Sequence, residues 1–121
     1  MNLNTISFEK KKFQRYNFKK YLGRKDSLIW KNCSNLEIII NSKINKLILI
    51  NCDSIKIIIG NTISGLELEK SKNIKIYSIK NKNFNFLCSF KSDIILYIHN
   101  IDDLKKIILK SEKSKIKYKF L

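Results

Sequence analysis

The chain has 121 residues, 44% of them hydrophobic, with 25 Lys and Arg against 10 Asp and Glu for a formal charge of +15. That length suits one domain around one continuous core, and multidomain readings drop out. Its apolar runs, such as Ile38–Ile40 and Leu47–Ile50, fall far below the ~20 residues of a membrane-crossing helix, and its three cysteines, Cys33, Cys52 and Cys88, neither pair evenly nor show metal-ligand spacing, which points to a reducing, intracellular setting.

The first segment, residues 1–27, carries charge where a secretory leader needs an apolar centre, so it is read as part of the fold. Ile6-Ser7-Phe8 and Phe13 to Phe18 alternate as strands do, and predict an imperfect capping coil whose aromatic rings cover the core. The same stretch, continued through Lys19 and Lys20, interleaves rings with bases and could stack on single-stranded nucleic acid. A hydrophobic cap with solvated flanks is the favoured reading of it.

From residue 28 to 98 apolar residues recur every nineteen positions, through KNCSNLEIII (31–40), INCDSIKIII (50–59), EKSKNIKIYS (69–78) and CSFKSDIILY (88–97). The columns read Leu28, Leu47, Leu66; Trp30, Leu49, Leu68, Leu87; Leu36, Ile55, Ile74; and Ile38, Ile57, Ile76, Ile95. Within each repeat the period is two, as in Leu36-Glu37-Ile38 and Ile55-Lys56-Ile57, which is the pattern of half-buried strands. Between the strands lie Asn, Ser, Asp and Gly, residues that accept tight bends at low cost. A hairpin meander has no reason to repeat the same side chain at a fixed translation, whereas a coiled stack does. The expected fold is therefore an all-β, right-handed parallel β-helix of about six short coils, two strands per coil. Cys33, Cys52 and Ser71 should share one inward-turning corner, with Asn32 over Asn51 beside it.

Residues 99–121 are expected to close the stack with capping strands. Asn100 to Ile108 is compatible with a helical turn capped by Asn100 or Asp102, and a strand is the preferred reading. Lys113 to Phe120 alternates lysine with other residues, which suits a last strand whose charges discourage further pairing.

The charge has a compositional side. Lysine outnumbers arginine heavily, Arg15 and Arg24 being the only arginines, and Val, Ala and Pro are absent. A strand-rich domain without Val, which packs as well as Ile on a pleated surface, points to drift in an AT-rich genome for much of the Lys, Ile and Asn. What survives is a basic surface that should prefer an acidic partner.

Two segments carry a family resemblance. Ser42-Lys43-Ile44-Asn45-Lys46-Leu47-Ile48-Leu49-Ile50-Asn51-Cys52 and Lys70-Ser71-Lys72-Asn73-Ile74-Lys75-Ile76 resemble successive coils of the C-terminal β-helix (CARP, or C-CAP) domain of the adenylyl cyclase-associated proteins, in its reduced, apicomplexan-type form. Lys82 and Tyr97-Ile98 fall where that family has a lysine turn and a tyrosine-bearing strand, and the likeness runs from about Ile6 to the C-terminus. Lys91-Ser92-Asp93 lacks the glycine of the family's matching turn, and no counterpart of its exchanged, dimer-forming C-terminal hairpin follows Phe120, which leaves a homodimer open. The resemblance implies a cytoplasmic, cytoskeleton-associated regulator that binds actin monomers and promotes nucleotide exchange on ADP-actin. The candidate contacts are Lys43, Asn45, Lys46, Lys56, Lys72, Lys75 and Lys82. Neither cofactor nor metal is expected, no membrane partner is, and nucleic acid is disfavoured.

Two alternatives compete with this reading. A tubulin-cofactor-C-like domain stimulates small GTPases with an arginine that neutralises phosphate charge, but Arg15 and Arg24 lie outside the repeats and Gln14-Arg15-Tyr16 lacks the expected following histidine. A basic, nucleic-acid-binding solenoid would rest on the charge and the Phe13–Lys20 run. An enzyme is not expected: His99 is the only histidine, three glycines form no phosphate loop, and Asp102 and Asp103 are adjacent rather than facing.

Overall fold

A computed structural model describes residues 3–18 and 21–121, and it is a two-sided solenoid. Lys19 and Lys20 of the basic-aromatic run lie outside the described residues. The strands are β1 (Asn4–Glu9), β2 (Lys12–Phe18), β3 (Asp26–Lys31), β4 (Ser34–Ile40), β5 (Lys46–Ile50), β6 (Asp53–Ile59), β7 (Leu66–Glu69), β8 (Lys72–Ser78), β9 (Phe86–Phe90), β10 (Asp93–Ile98), β11 (Ile108–Glu112) and β12 (Lys115–Phe120). Odd strands form one six-stranded sheet in the order β1-β3-β5-β7-β9-β11, and even strands the other, β12-β10-β8-β6-β4-β2. Every strand pairing is parallel. The parallel β-helix expected from the repeat is what the chain forms, and the meander is excluded.

Each odd strand passes to the next even strand through a tight corner. Lys10, Asn32, Asn51, Lys70, Lys91 and Lys113 occupy it with φ between 49° and 55°, the left-handed conformation that turns the chain sharply. The next residue points inward: Cys33, Cys52, Ser71 and Ser92 are buried, and Ser114 continues the column. A serine here does two jobs. The Ser92 hydroxyl donates to the Phe90 carbonyl at 3.0 Å and accepts from the Ser71 N–H at 3.0 Å, while Ser114 accepts from the Ser92 N–H at 3.0 Å. The corner that small residues marked in the sequence is thus a vertical chain of hydrogen bonds that satisfies buried backbone groups.

The core fills the space between the sheets. Leu28, Leu47, Leu66 and Leu87 stack in register along the odd sheet, facing Leu36, Ile55, Ile74 and Ile94 from the even one. All eight are 3% exposed or less. The repeat is not constant, and this corrects two of the columns. Ile6, Leu28, Leu47, Leu66, Leu87 and Leu109 pair in succession, giving steps of 22, 19, 19, 21 and 22 residues. Leu87 therefore sits over Leu66, not Leu68, which faces Ser89. Ile95 pairs with Lys75 on the outer face, and Leu96 takes the inner place beside Ile76.

The physical cause is a pair of opposite length changes. Phe13, Asn35, Ser54 and Asn73, at positive φ, are extra residues skipped by the pairing ladder near the starts of β2, β4, β6 and β8, which makes them stacked bulges. β10 has none, since Asp93 runs straight into Ile94. The preceding connection is longer by two residues, where Asn81 at φ 64° makes a turn closed by an Ile79–Lys82 bridge. Phe84, fully buried in that connection, fills the volume the detour creates.

The ends are capped differently. Phe8 stacks on Trp30 with ring centroids 3.8 Å apart, and Tyr16 meets the indole edge-on at 4.9 Å, so aromatic rings do cover the core at the first rung. At the other end the strand expected over Asn100–Ile108 is replaced by a short helix, α1 (Ile101–Lys105). Asn100 caps it by accepting the Asp103 N–H at 2.9 Å, and Asp102 and Asp103 lie in its first turn, where carboxylates favour the helix over the extended form. Leu104 and Ile107 then reach the core from one side.

Two mutations test this frame. Ser92→Ala leaves the buried Ser71 N–H without its partner, while the Phe90 carbonyl still accepts the Lys70 N–H, and should cost about 1–3 kcal/mol in urea unfolding. Phe8→Ala should cost about 2 kcal/mol, because a half-buried ring loses less than a fully buried one, and should shift the emission of the single tryptophan, Trp30, to longer wavelength.

Candidate functional site

The alternation that buries one set of side chains presents the other on two outer faces, and those faces differ in charge. On the odd sheet the outward columns are Ile29, Ile48, Glu67, Cys88, Lys110 and Lys31, Ile50, Glu69, Phe90, Glu112. Four of the chain's five glutamates, Glu9, Glu67, Glu69 and Glu112, point out from this sheet. A shallow hollow of about 420 Å³ lies among Ile48, Ile50, Glu67, Glu69 and Phe90.

The even sheet is its counterpart. One outward column reads Arg15, Glu37, Lys56, Lys75, Ile95, Lys117, and the next Asn17, Ile39, Ile58, Tyr77, Tyr97, Lys119. Glu37 is its one glutamate, and it is engaged by Arg15 at 3.7 Å and Lys56 at 4.0 Å. Tyr77 and Tyr97 stack in parallel with centroids 4.1 Å apart. Lys56 lies 5.1 Å over Tyr77 and Lys119 5.9 Å over Tyr97, so a cation closes each end of the aromatic pair. Burial, and then the neighbouring Tyr97 phenol, push the Tyr77 phenol above its ordinary pKa. A hollow of about 460 Å³ opens among Ser54, Lys56, Asn73, Lys75 and Tyr77. Beside it, where the stacked bulges stop at β10, another of about 260 Å³ lies among Asn73, Lys75, Asp93, Ile95, Lys115 and Lys117.

The seven candidate contacts fall in three places. Lys56 and Lys75 are neighbours on the outer even sheet. Lys72 stands at the tight corner beside Asp53, whose carboxyl is held below its usual range by the Asn73 amide at 3.0 Å, then by the Ser54 hydroxyl and by the Lys72 charge. Lys43, Asn45 and Lys82 belong to the opposite, longer connections, and Lys46 opens β5 at the same edge. Asn45 is spent on the fold, donating to the Ser27 hydroxyl at 2.9 Å and accepting from that of Ser64 at 2.9 Å. Lys46 is ion-paired with Glu67 at 2.7 Å. The flat surface that unites Lys56 and Lys75 also contains Tyr77, Tyr97, Lys117 and Lys119, which the sequence reading did not select. Their signal was available as the outward positions of the even strands, once the step from β8 to β10, 20 residues in place of 19, is allowed for.

Residues considered for chemistry stay apart. Cys88 faces out of the odd sheet, whereas the His99 Nε2 lies 3.1 Å from the Ser78 carbonyl beyond the even strands. Asp103 is buried and Asp102 exposed on the same short helix. Arg15 lies on the outer even sheet against Glu37, and Arg24 is exposed in the connection before β3. Among the described residues no group of three metal-ligating side chains comes together. Burial raises the Cys52 thiol to about 11, the largest influence on it.

A family model described as adenylate cyclase associated (CAP) C terminal matches residues 17–117. No curated protein matches the chain.

The thiols give a direct check of the corner. A maleimide at neutral pH should label Cys88 within minutes and leave Cys33 and Cys52 unmodified until denaturant is added, since both are buried and Cys52 is held protonated. Labelling of all three at one rate would show that the corner does not bury them.

Proposed function

Because the chain belongs to the adenylate cyclase associated C-terminal family, we propose that it is a cytoskeletal regulator that binds the actin monomer through the outer face of the even sheet and promotes exchange of its bound nucleotide. The observation that carries this reading is the pairing of Lys56, Lys75, Lys117 and Lys119 with the stacked Tyr77 and Tyr97 on one rigid surface. Aromatic rings that expose an apolar body and a polar tip suit a protein interface, and lysines at its rim steer an acidic partner and set its register. The odd sheet, with its glutamates outward, would repel the same partner. Polarity between the faces thus favours one side of the solenoid.

The mechanism is binding, with no bond made or broken by this chain. A ligand shifts an equilibrium only through differential affinity, so exchange follows if the basic face fits the open-cleft form of actin better than the closed one. A stiff parallel sheet is suited to that discrimination because it does not remodel to follow a closed partner. The setting of such a role is cytoplasmic.

The test is release of a fluorescent ADP analogue from monomeric actin as the protein is added. Wild type should accelerate release at low salt, and the effect should weaken as salt rises, since rim charges are screened over about 8 Å at physiological ionic strength. Lys56→Glu with Lys75→Glu should weaken binding at least ~10-fold, mostly through slower association. Lys43→Ala, in the opposite connections, should leave binding within about twofold. Neither binding nor acceleration by wild type at low salt would remove the reading.

A further inference from the structure

The tight-corner edge carries lysines that the fold itself does not want there. Lys70, Lys91 and Lys113 stand on three consecutive rungs in the same left-handed conformation, at φ 50°, 49° and 53°. They are stacked directly, since the Lys70 N–H donates to the Phe90 carbonyl and the Lys91 N–H to that of Glu112. The equivalent residues two and three rungs into the stack are Asn32 and Asn51, whose side chains hydrogen-bond to each other at 2.6 Å. Asparagine tolerates this backbone better than lysine, forms that amide ladder, and avoids stacking like charges on adjacent strands. Drift toward AT-rich codons does not explain the choice, because asparagine and lysine codons are equally AT-rich. Lys91 lies 5.2 Å over the Phe90 ring, but among the described residues the Lys70 and Lys113 side chains take part in no ion pair or ring contact, and positions that break a local preference with no structural return are where function is expected.

We propose that this edge is a contact surface for an anionic lipid bilayer. The corners stack rung over rung into an edge, which presents its lysines to a flat surface and offers no groove to cradle a nucleic-acid strand. Among the described residues the ion pairs are Arg15–Glu37, Lys46–Glu67 and Lys56–Glu37, and none of them uses a corner lysine. Asp53 and Asp93 are the acids among the corner residues, and Glu69 and Glu112, which precede Lys70 and Lys113, turn outward onto the odd sheet. A second observation lies at the first rung. Phe13, beside Lys12, is 80% exposed at φ 52° and takes no part in the aromatic cluster around Trp30. An exposed ring preceded by lysines is a combination that seats in a headgroup layer, the ring entering the interface and the bases holding anionic lipid. The sequence expectation of no membrane partner rested on the lack of an apolar run long enough to span a bilayer, which does not bear on surface contact. The coil brings them to one edge, apart from the face assigned to actin.

Vesicles of phosphatidylcholine with about 30% phosphatidylserine provide the probe, with pure phosphatidylcholine as control, in moderate salt. Wild type should sediment with the anionic vesicles and not with the neutral ones. Lys70→Asn/Lys91→Asn/Lys113→Asn should lower the bound fraction at least ~5-fold while melting no lower than wild type, because asparagine fits the corner. Phe13→Ser should lower it separately. The face variant Lys56→Glu/Lys75→Glu should still sediment, which separates this surface from the actin-binding reading. Sedimentation of the triple variant at the wild-type level overturns the proposal, and so does wild-type binding to oligouridylate or polyglutamate at lower concentration than to vesicles, abolished by the same three substitutions. Should the triple variant fold poorly, Lys91→Asn alone carries the comparison, with a twofold or larger loss expected.

Discussion

The hydrogen-bonded corner column is the constraint on which the rest depends. A parallel two-sided coil must reverse direction every few residues while keeping each rung directly over the last, and it must do so without leaving buried backbone groups unpaired. The left-handed residue supplies the reversal, and the inward serine or cysteine behind it supplies the pairing, Cys52 donating its thiol to the Trp30 carbonyl at 3.3 Å and Ser71 accepting from the Cys52 N–H at 3.2 Å. With that edge held in register, the strands on either side cannot slip. A slip of one residue would turn every leucine and isoleucine of a strand to solvent.

The opposite edge is free to vary because it does not set the register of the sheets. The connections there differ in length, and the detour before β9 is closed on itself by the Ile79–Lys82 bridge and filled by Phe84. Side-chain ladders hold these connections together from rung to rung, as Asn45 does between Ser27 and Ser64, and as Asn85 does in accepting from Thr62 at 2.9 Å. Insertions are absorbed on one edge, and the two flat faces stay flat.

Flatness gives the faces their separate chemical characters. In a parallel stack each outward position forms a straight row, so a bias in which residues occupy it becomes a stripe of one character. Glutamates gather on the odd sheet, while lysines and stacked tyrosines gather on the even sheet, although the sequence intermixes both signs from end to end. The large positive charge is thus not spread evenly: one face is depleted of it, one face combines it with aromatic rings, and one edge concentrates it at backbone positions where lysine is conformationally disfavoured.

The amino-acid pattern by itself determined the parallel coil, the inner columns from Leu28 to Leu66 and from Leu36 to Ile74, the Cys33-Cys52-Ser71 corner and the aromatic cap at the first rung. Each of these follows from periodicity and local turn chemistry, which act over a few residues and repeat. Tertiary structure alone decided that Leu87 belongs over Leu66 and Ile95 outside, because a lengthened connection and a missing bulge change the step only there, and their effects partly cancel in the count. It also decided that Asn100 starts a helix, where a cap and two first-turn carboxylates outweigh a short alternation. Which lysines share a surface was likewise invisible in the chain, since residues about twenty apart become neighbours at one strand spacing only when every corner between them is in place.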